Sequence, residues 1–290
     1  MSKNNFLLNR LFTRNILKRL LQLKKEKVYE KILLEYNCDN FSKTNLEFLE
    51  NIYKYMSENY RNEYFYQNTL FNKLLLGRHS LNTTTALTQI PIGSAKADFI
   101  MINGKAIIYE IKTELDSFER LENQIKNYYK GFNFVCIVTC EKNYKKLLNM
   151  FEKTKIGIYI LTDKNRISRR KEPQVNNEYL DYEVIFKYLR KEEFENIVLK
   201  YYKILPRVAP VFYYDECFKL LKNIPIEIFY NEAISQLKTR KKINIEKFAK
   251  IPYELKSLIY FYNPSIEEYV KLNNFLKMNL MEEIQCIYHI

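Results

Sequence analysis

Glycine and histidine are scarce in this chain, with five Gly and two His in 290 residues, and proline is limited to seven. So few turn formers argue against long flexible linkers and against a sandwich built on many tight turns. His79 and His289 stand at no spacing that would complete a zinc site with the cysteines. No apolar run reaches the roughly 20 residues that a membrane span requires, so no integral span is expected. Cysteine is sparse and odd in number: Cys38, Cys136, Cys140, Cys217 and Cys286. Cys136 and Cys140 fall in "FVCIVTC", an expected strand. Positions four apart on a strand share a face but stand roughly 13 Å apart, too far for one metal ion or one disulfide. The cysteines read as core hydrophobes in a reducing, cytoplasmic setting.

What the chain has in excess is positive charge. Hydrophobic (47%) and charged (28%) contents are ordinary, but 47 Lys and Arg against 34 Asp and Glu give a net charge of +13. Such a surplus makes nucleic acid the leading partner class and an anionic membrane the second, against the bland alternative of a solvated lysine-rich surface. Residues 1–27 carry eight Lys/Arg and one Glu, hence +7, in a basic amphipathic pattern, "FLLNRLFTRNILKRLLQLKKEK". Its apolar stripe can pack on the protein with the basic face toward phosphates, or it can lie on a membrane. The packed helix is the expectation.

The length allows one large domain or two modest ones. Helical spacing dominates residues 5–76, with Gly77 expected to end the last helix there. Short β-branched and aromatic runs follow: "TALTQIPI", "ADFIMI", "KAIIYEIK", "FNFVCIVT" and "KIGIYILT". Helical segments lie between the third, fourth and fifth of these. The expected fold is α/β (α+β), a mixed central sheet flanked by helices. Three regions are expected: a basic helical stretch (1–60), a core (61–165), and a mainly helical C-terminal part (166–290) entered through the basic segment "DKNRISRRKEPQ".

The stretch "KADFIMINGKAIIYEIKTELDSFERLENQIKNYY" places three ionisable residues, Asp98, Glu110 and Lys112, in an apolar hairpin pattern. Glu110 and Lys112 are two apart on a strand and share its face with Ala106 and Ile108. Asp98 joins them only in the right register. A two-residue loop at Asn103-Gly104 sets Asp98 opposite Tyr109, on the other face. A three-residue loop of Ile102, Asn103 and left-handed Gly104 sets it opposite Ile108, on the face of Glu110. The second is expected, because two carboxylates and an ammonium compensate one another where Asp98 among Tyr and Ile could not. Two convergent carboxylates suit a hard cation, Mg²⁺ with retained waters or Mn²⁺ in its place. A neighbouring lysine suits metal-assisted phosphodiester hydrolysis. The bland alternative is a solvated salt-bridge ladder.

The pattern AD, eleven residues, then EIK resembles the core of the PD-(D/E)xK nuclease superfamily, of restriction-endonuclease-like fold, with Ala97 in place of the name-giving proline. The resemblance implies that Asp98 and Glu110 hold the metal with the Ile111 carbonyl as a further ligand, and that Lys112 is the catalytic lysine. Gln124 and Tyr128, at i and i+4 on the next helix, match the QxxxY motif of the RecB-like and lambda-exonuclease-like branch and would support the site and the nucleic-acid backbone. An acidic residue on the preceding helix completes the family pattern. Glu63 is the candidate, against a plain first-turn acid favoured by the helix dipole. Gln89 is a candidate neutral ligand. Arg120, Lys126 and Lys130 could reach backbone phosphates, while Glu114, Asp116, Glu119 and Glu122 are expected to cap and solubilise the helix, against the alternatives of repelling DNA locally or recruiting a second metal. The segment also looks like small bacterial proteins, some carried on mobile elements, which suggests phage defence or element maintenance. The expected function is a Mg²⁺-dependent nuclease acting on DNA. The alternatives are a silent nucleic-acid- or protein-binding module and an RNA-directed nuclease or toxin. A second copy of the chain is a further partner class.

Overall fold

The structure is a computed structural model that describes residues 4–22, 24, 26–36, 42–240 and 243–280. The chain divides into two compact units, residues 1–72 with 243–290, and residues 73–242.

The first unit opens with helices α1 (Leu8–Leu11), α2 (Arg14–Leu21), α3 (Lys27–Tyr36), α4 (Asn45–Asn59) and α5 (Glu63–Leu70). Thr13, Thr44 and Asn62 cap α2, α4 and α5, each side chain accepting an otherwise orphaned backbone N–H. The apolar stripe of α2, Ile16, Leu17 and Leu21, is buried, so this basic helix packs on the protein. After α5 the backbone continues through a π-helical stretch, Phe71–Leu76, and Gly77 stays helical instead of ending the segment.

The second unit is built on a six-stranded mixed sheet. Its strands are β1 (Thr85–Leu87), β4 (Phe99–Asn103), β5 (Lys105–Ile111), β6 (Phe134–Thr139), β7 (Gly157–Leu161) and β8 (Ile167–Lys171), hydrogen-bonded in that order. β5, β6 and β7 run parallel and the other pairings are antiparallel. A separate hairpin, β2 (Ile90–Ile92) and β3 (Ala95–Ala97), stands outside that ladder. The expected strand over residues 85–92 is therefore broken, and Gln89 at the break is left-handed (φ 57). The basic segment expected as a boundary contains β8, an edge strand whose Arg169 and Arg170 keep it from pairing further.

The crossover helices are α6 (Leu121–Gly131) between β5 and β6, and α7 (Glu141–Phe151) between β6 and β7. Helices α8 (Tyr182–Tyr188), α9 (Lys191–Tyr202), α10 (Pro210–Lys222) and α11 (Ile226–Lys238) follow the sheet. They share its core: Ile185, Phe194, Leu221 and Phe229 cluster with Ile108, Tyr128 and Phe132. The C-terminal helices up to residue 242 are thus part of the sheet unit, not a separate region beginning at residue 166. The chain then completes the first unit with α12 (Ile245–Ala249), α13 (Lys256–Tyr262) and α14 (Ile266–Lys277). There α14 packs on α2 and α4, and the Asn45 amide donates to the Phe275 carbonyl (3.0 Å). The three-region division differs from these units because the first unit joins residues 1–72 to 243–290 and the second runs on from the sheet through the helices that share its core. Among the described residues no helix is long and apolar enough to cross a membrane.

Candidate active site

The β4–β5 register decides where Asp98 stands. Ile102 pairs with Ala106, Ile100 with Ile108 and Phe99 with Tyr109, while Asn103 and Lys105 flank Gly104, whose φ of +69 makes the tight reversal. Neither expected loop occurs. The tip is tighter than the three-residue loop and shifts the pairing by two residues, so the register brings Asp98 level with Glu110 instead of Ile108. A shift of two preserves the side-chain alternation, and Asp98 keeps the face of Glu110 that was expected for it.

Glu110 is fully buried at the carboxyl end of β5. Its Oε2 accepts the Tyr128 hydroxyl at 2.5 Å. Its Oε1 lies 2.8 Å from the Lys112 ammonium without an aligned hydrogen bond. The ammonium donates to Gln124 Oε1 at 2.9 Å, and the Lys112 side chain is only 12% exposed. Asp98, half-buried just before β4, takes the Ile111 backbone N–H on Oδ2 at 2.9 Å. Burial first, then the charges of Glu110 and Asp98, push the Tyr128 phenol well above its ordinary range, so it stays a donor. Gln124 and Tyr128, one turn apart on α6, thus hold Lys112 and Glu110 respectively, and the Tyr128 hydroxyl also lies 3.0 Å from the Lys96 carbonyl.

Two further residues brace this cluster. Lys112 lies past the end of β5, yet its backbone N–H donates to the Val138 carbonyl (2.8 Å) and its own carbonyl accepts the Thr139 hydroxyl (2.6 Å). Asn127 on α6 accepts the Ser94 N–H (3.1 Å) at the β2–β3 turn, fixing the hairpin that leads into Asp98. Neither Thr139 nor Asn127 carried a signal in the sequence beyond its position in a strand and a helix.

The other expected residues are placed as follows. Arg120, Lys126 and Lys130 are exposed at the start and along the outer side of α6. Asp116 accepts both the N–H and the hydroxyl of Thr113, closing the turn after Lys112. Gln89 is exposed, and its backbone N–H donates to the Ala97 carbonyl. Glu63 is exposed in the first turn of α5, within the first unit, where the helix dipole favours a carboxylate. Cys136, Cys140 and Cys217 are buried free thiols; Cys38 and Cys286 lie outside the described residues.

The residues fit a hard cation in their donor chemistry. Among the described residues no group of three or more His, Cys, Asp or Glu could hold a metal. The protein would supply two carboxylates, as suits Mg²⁺ that keeps several of its waters. Buried Glu110, with one oxygen lacking an aligned donor, has its charge balanced by Lys112; a divalent ion there would compete with that ammonium.

Comparison with known proteins gives one family. A family model described as bacteriophage P4 protein cII matches residues 56–258. No curated protein matches. A solved structure of a protein of unknown function from Silicibacter pomeroyi is similar at 11% identity, covering 44% of this chain and 87% of that chain, with a TM-score of 0.29.

Proposed function

This chain belongs to the bacteriophage P4 protein cII family, and we propose that it is a metal-dependent nuclease of the PD-(D/E)xK kind, acting on DNA. The observation that carries the reading is the placement of Lys112 between Glu110 Oε1 (2.8 Å) and Gln124 Oε1 (2.9 Å), on the face that Asp98 shares. A solvated ladder of surface charges would not bury Glu110 completely or tie it to a phenol. The family name comes from a phage protein and states no activity; it supports a setting in phage or mobile-element biology.

Asp98 and Glu110 would hold the cation, with the Ile111 carbonyl as a further oxygen. When bound, Mg²⁺ supplies a water of lowered pKa and charge neutralisation at the scissile phosphate. Tyr128 fixes the orientation of Glu110 through Oε2. Gln124 holds the Lys112 ammonium, which has three donors and can turn toward an attacking water or a phosphate oxygen. Exposed Arg120, Lys126 and Lys130 on the same helix would contact backbone phosphates without reading sequence.

The test incubates purified protein with linear, circular and single-stranded DNA and with RNA, under Mg²⁺, Mn²⁺ or EDTA. DNA is expected to be cut with either ion, spared in EDTA, and spared by Asp98→Asn. Cleavage of RNA alone would move the substrate class. No cleavage of any substrate with either ion would leave the silent binding module.

A further inference from the structure

The first unit contains a basic pocket that the hairpin chemistry does not use. It has a volume of about 620 Å³ and is lined by Arg10, Lys18, Arg19 and Lys24, with Glu26 as its single carboxylate. Four cations against one carboxylate leave a net +3 in a small concavity. Lys18, Lys24 and Arg10 are exposed to solvent. Glu26 is nearly buried and accepts the Arg19 guanidinium at 2.8 Å; that bond holds its carboxyl below the usual range. The pair fixes Arg19 on the pocket wall without cancelling the other three cations.

We propose that this pocket binds the phosphodiester backbone of nucleic acid. Guanidinium forks match phosphate oxygens in geometry, and lysines add point charges around them. A pre-fixed Arg19 loses less conformational freedom on binding than a free one. An anionic membrane would meet the same charges, but α2 has its apolar stripe, Ile16, Leu17 and Leu21, buried in the protein and offers none of it to lipid. The proposal concerns binding by the first unit and stands whether or not the hairpin site cleaves.

The experiment measures fluorescence anisotropy of labelled single-stranded and duplex 20-mers with the full chain in EDTA, so that cleavage cannot intervene. In Lys18→Glu with Lys24→Glu, affinity is expected to fall about tenfold or more at 0.1 M salt, and the salt slope to become shallower by about 1.5. The control reverses the same charge on two exposed lysines of the sheet unit, Lys153→Glu with Lys164→Glu, and is expected to lose less than about threefold. Circular-dichroism melting checks that both variants fold. If the reversal does not fold, Lys18→Gln with Lys24→Gln is expected to lose affinity in the same direction. Equal losses in pocket and control variants overturn the proposal, as does an unchanged salt slope. Pocket-dependent sedimentation with phosphatidylserine vesicles and no DNA binding also overturns it, in favour of lipid.

Discussion

At the scale of single residues the most consequential fact is a carboxylate with no exposure. Glu110 keeps company with one ammonium and one phenol, and removing the ammonium leaves an uncompensated buried charge, typically a cost of about 3–5 kcal/mol. Lys112→Met is therefore expected to destabilise by about 3 kcal/mol at neutral pH in urea unfolding. Adding Glu110→Gln should recover most of that loss, and neither variant should cleave. A Lys112→Met chain as stable as the parent would show that the ammonium is not what compensates Glu110. The spacing of Asp98, Glu110 and Lys112 was legible in the sequence, as was the helical pairing of Gln124 with Tyr128. Their partners were not. That Gln124 takes Lys112 and Tyr128 takes Glu110 follows from how α6 lies across β5, which one-dimensional spacing does not contain.

At the scale of elements the hairpins are set by backbone geometry. Gly93 (φ +58) would place a Cβ 2.3 Å from Asn127 Oδ1, which is already bonded to the Ser94 N–H. Gly104 (φ +69) has open space around its Cβ position. Gly104→Ala therefore meets only the left-handed penalty, about 1 kcal/mol. Gly93→Ala is expected to cost about 2–3 kcal/mol, because it also displaces an anchored amide. In an Asn127→Ala background the Gly93 penalty should shrink toward that of Gly104, a comparison chemical denaturation can make. Equal penalties in the parent background would remove Asn127 from the account of this turn. The β-branched runs announced the central strands correctly, yet the break at Gln89 and the edge strand β8 did not show in the pattern. A left-handed residue other than glycine has little local signature, and a strand rich in Arg and Lys reads as loop.

At the scale of the whole molecule the aromatic content governs the response to alkali. The chain has 25 Tyr and no Trp, and burial raises many of the phenols, among them Tyr53, Tyr109, Tyr159, Tyr188 and Tyr230. Tyr262 is pushed up to about 12 by burial and by its bond to Glu268. The unfolded chain ionises its tyrosines near pH 10 and loses protons that the folded state retains. Stability therefore falls with rising pH once the unfolded tyrosines titrate, and below that these phenols contribute no slope. The urea midpoint is expected to decline steeply above about pH 10, with tyrosinate absorbance at 295 nm rising only on unfolding. Free ionisation of most tyrosines in the native protein at pH 11 would contradict the burial of their hydroxyls.

The amino-acid order by itself determined the mixed α and β class, the central strands, the burial of the N-terminal helix through its apolar stripe, and the spacing that sets Glu110 and Lys112 on one face. These are local properties, carried by periodicity and by chemical type. Only the tertiary structure decided the two-residue shift at Gly104, the grouping of α14 with α2 and α4, and the inclusion of α8 to α11 in the sheet's core. The hairpin tip is a choice among loops that the local pattern leaves open, while the two groupings depend on segments far apart in the chain meeting in space. Their joint burial sets the free energy, and no single stretch of sequence carries that information.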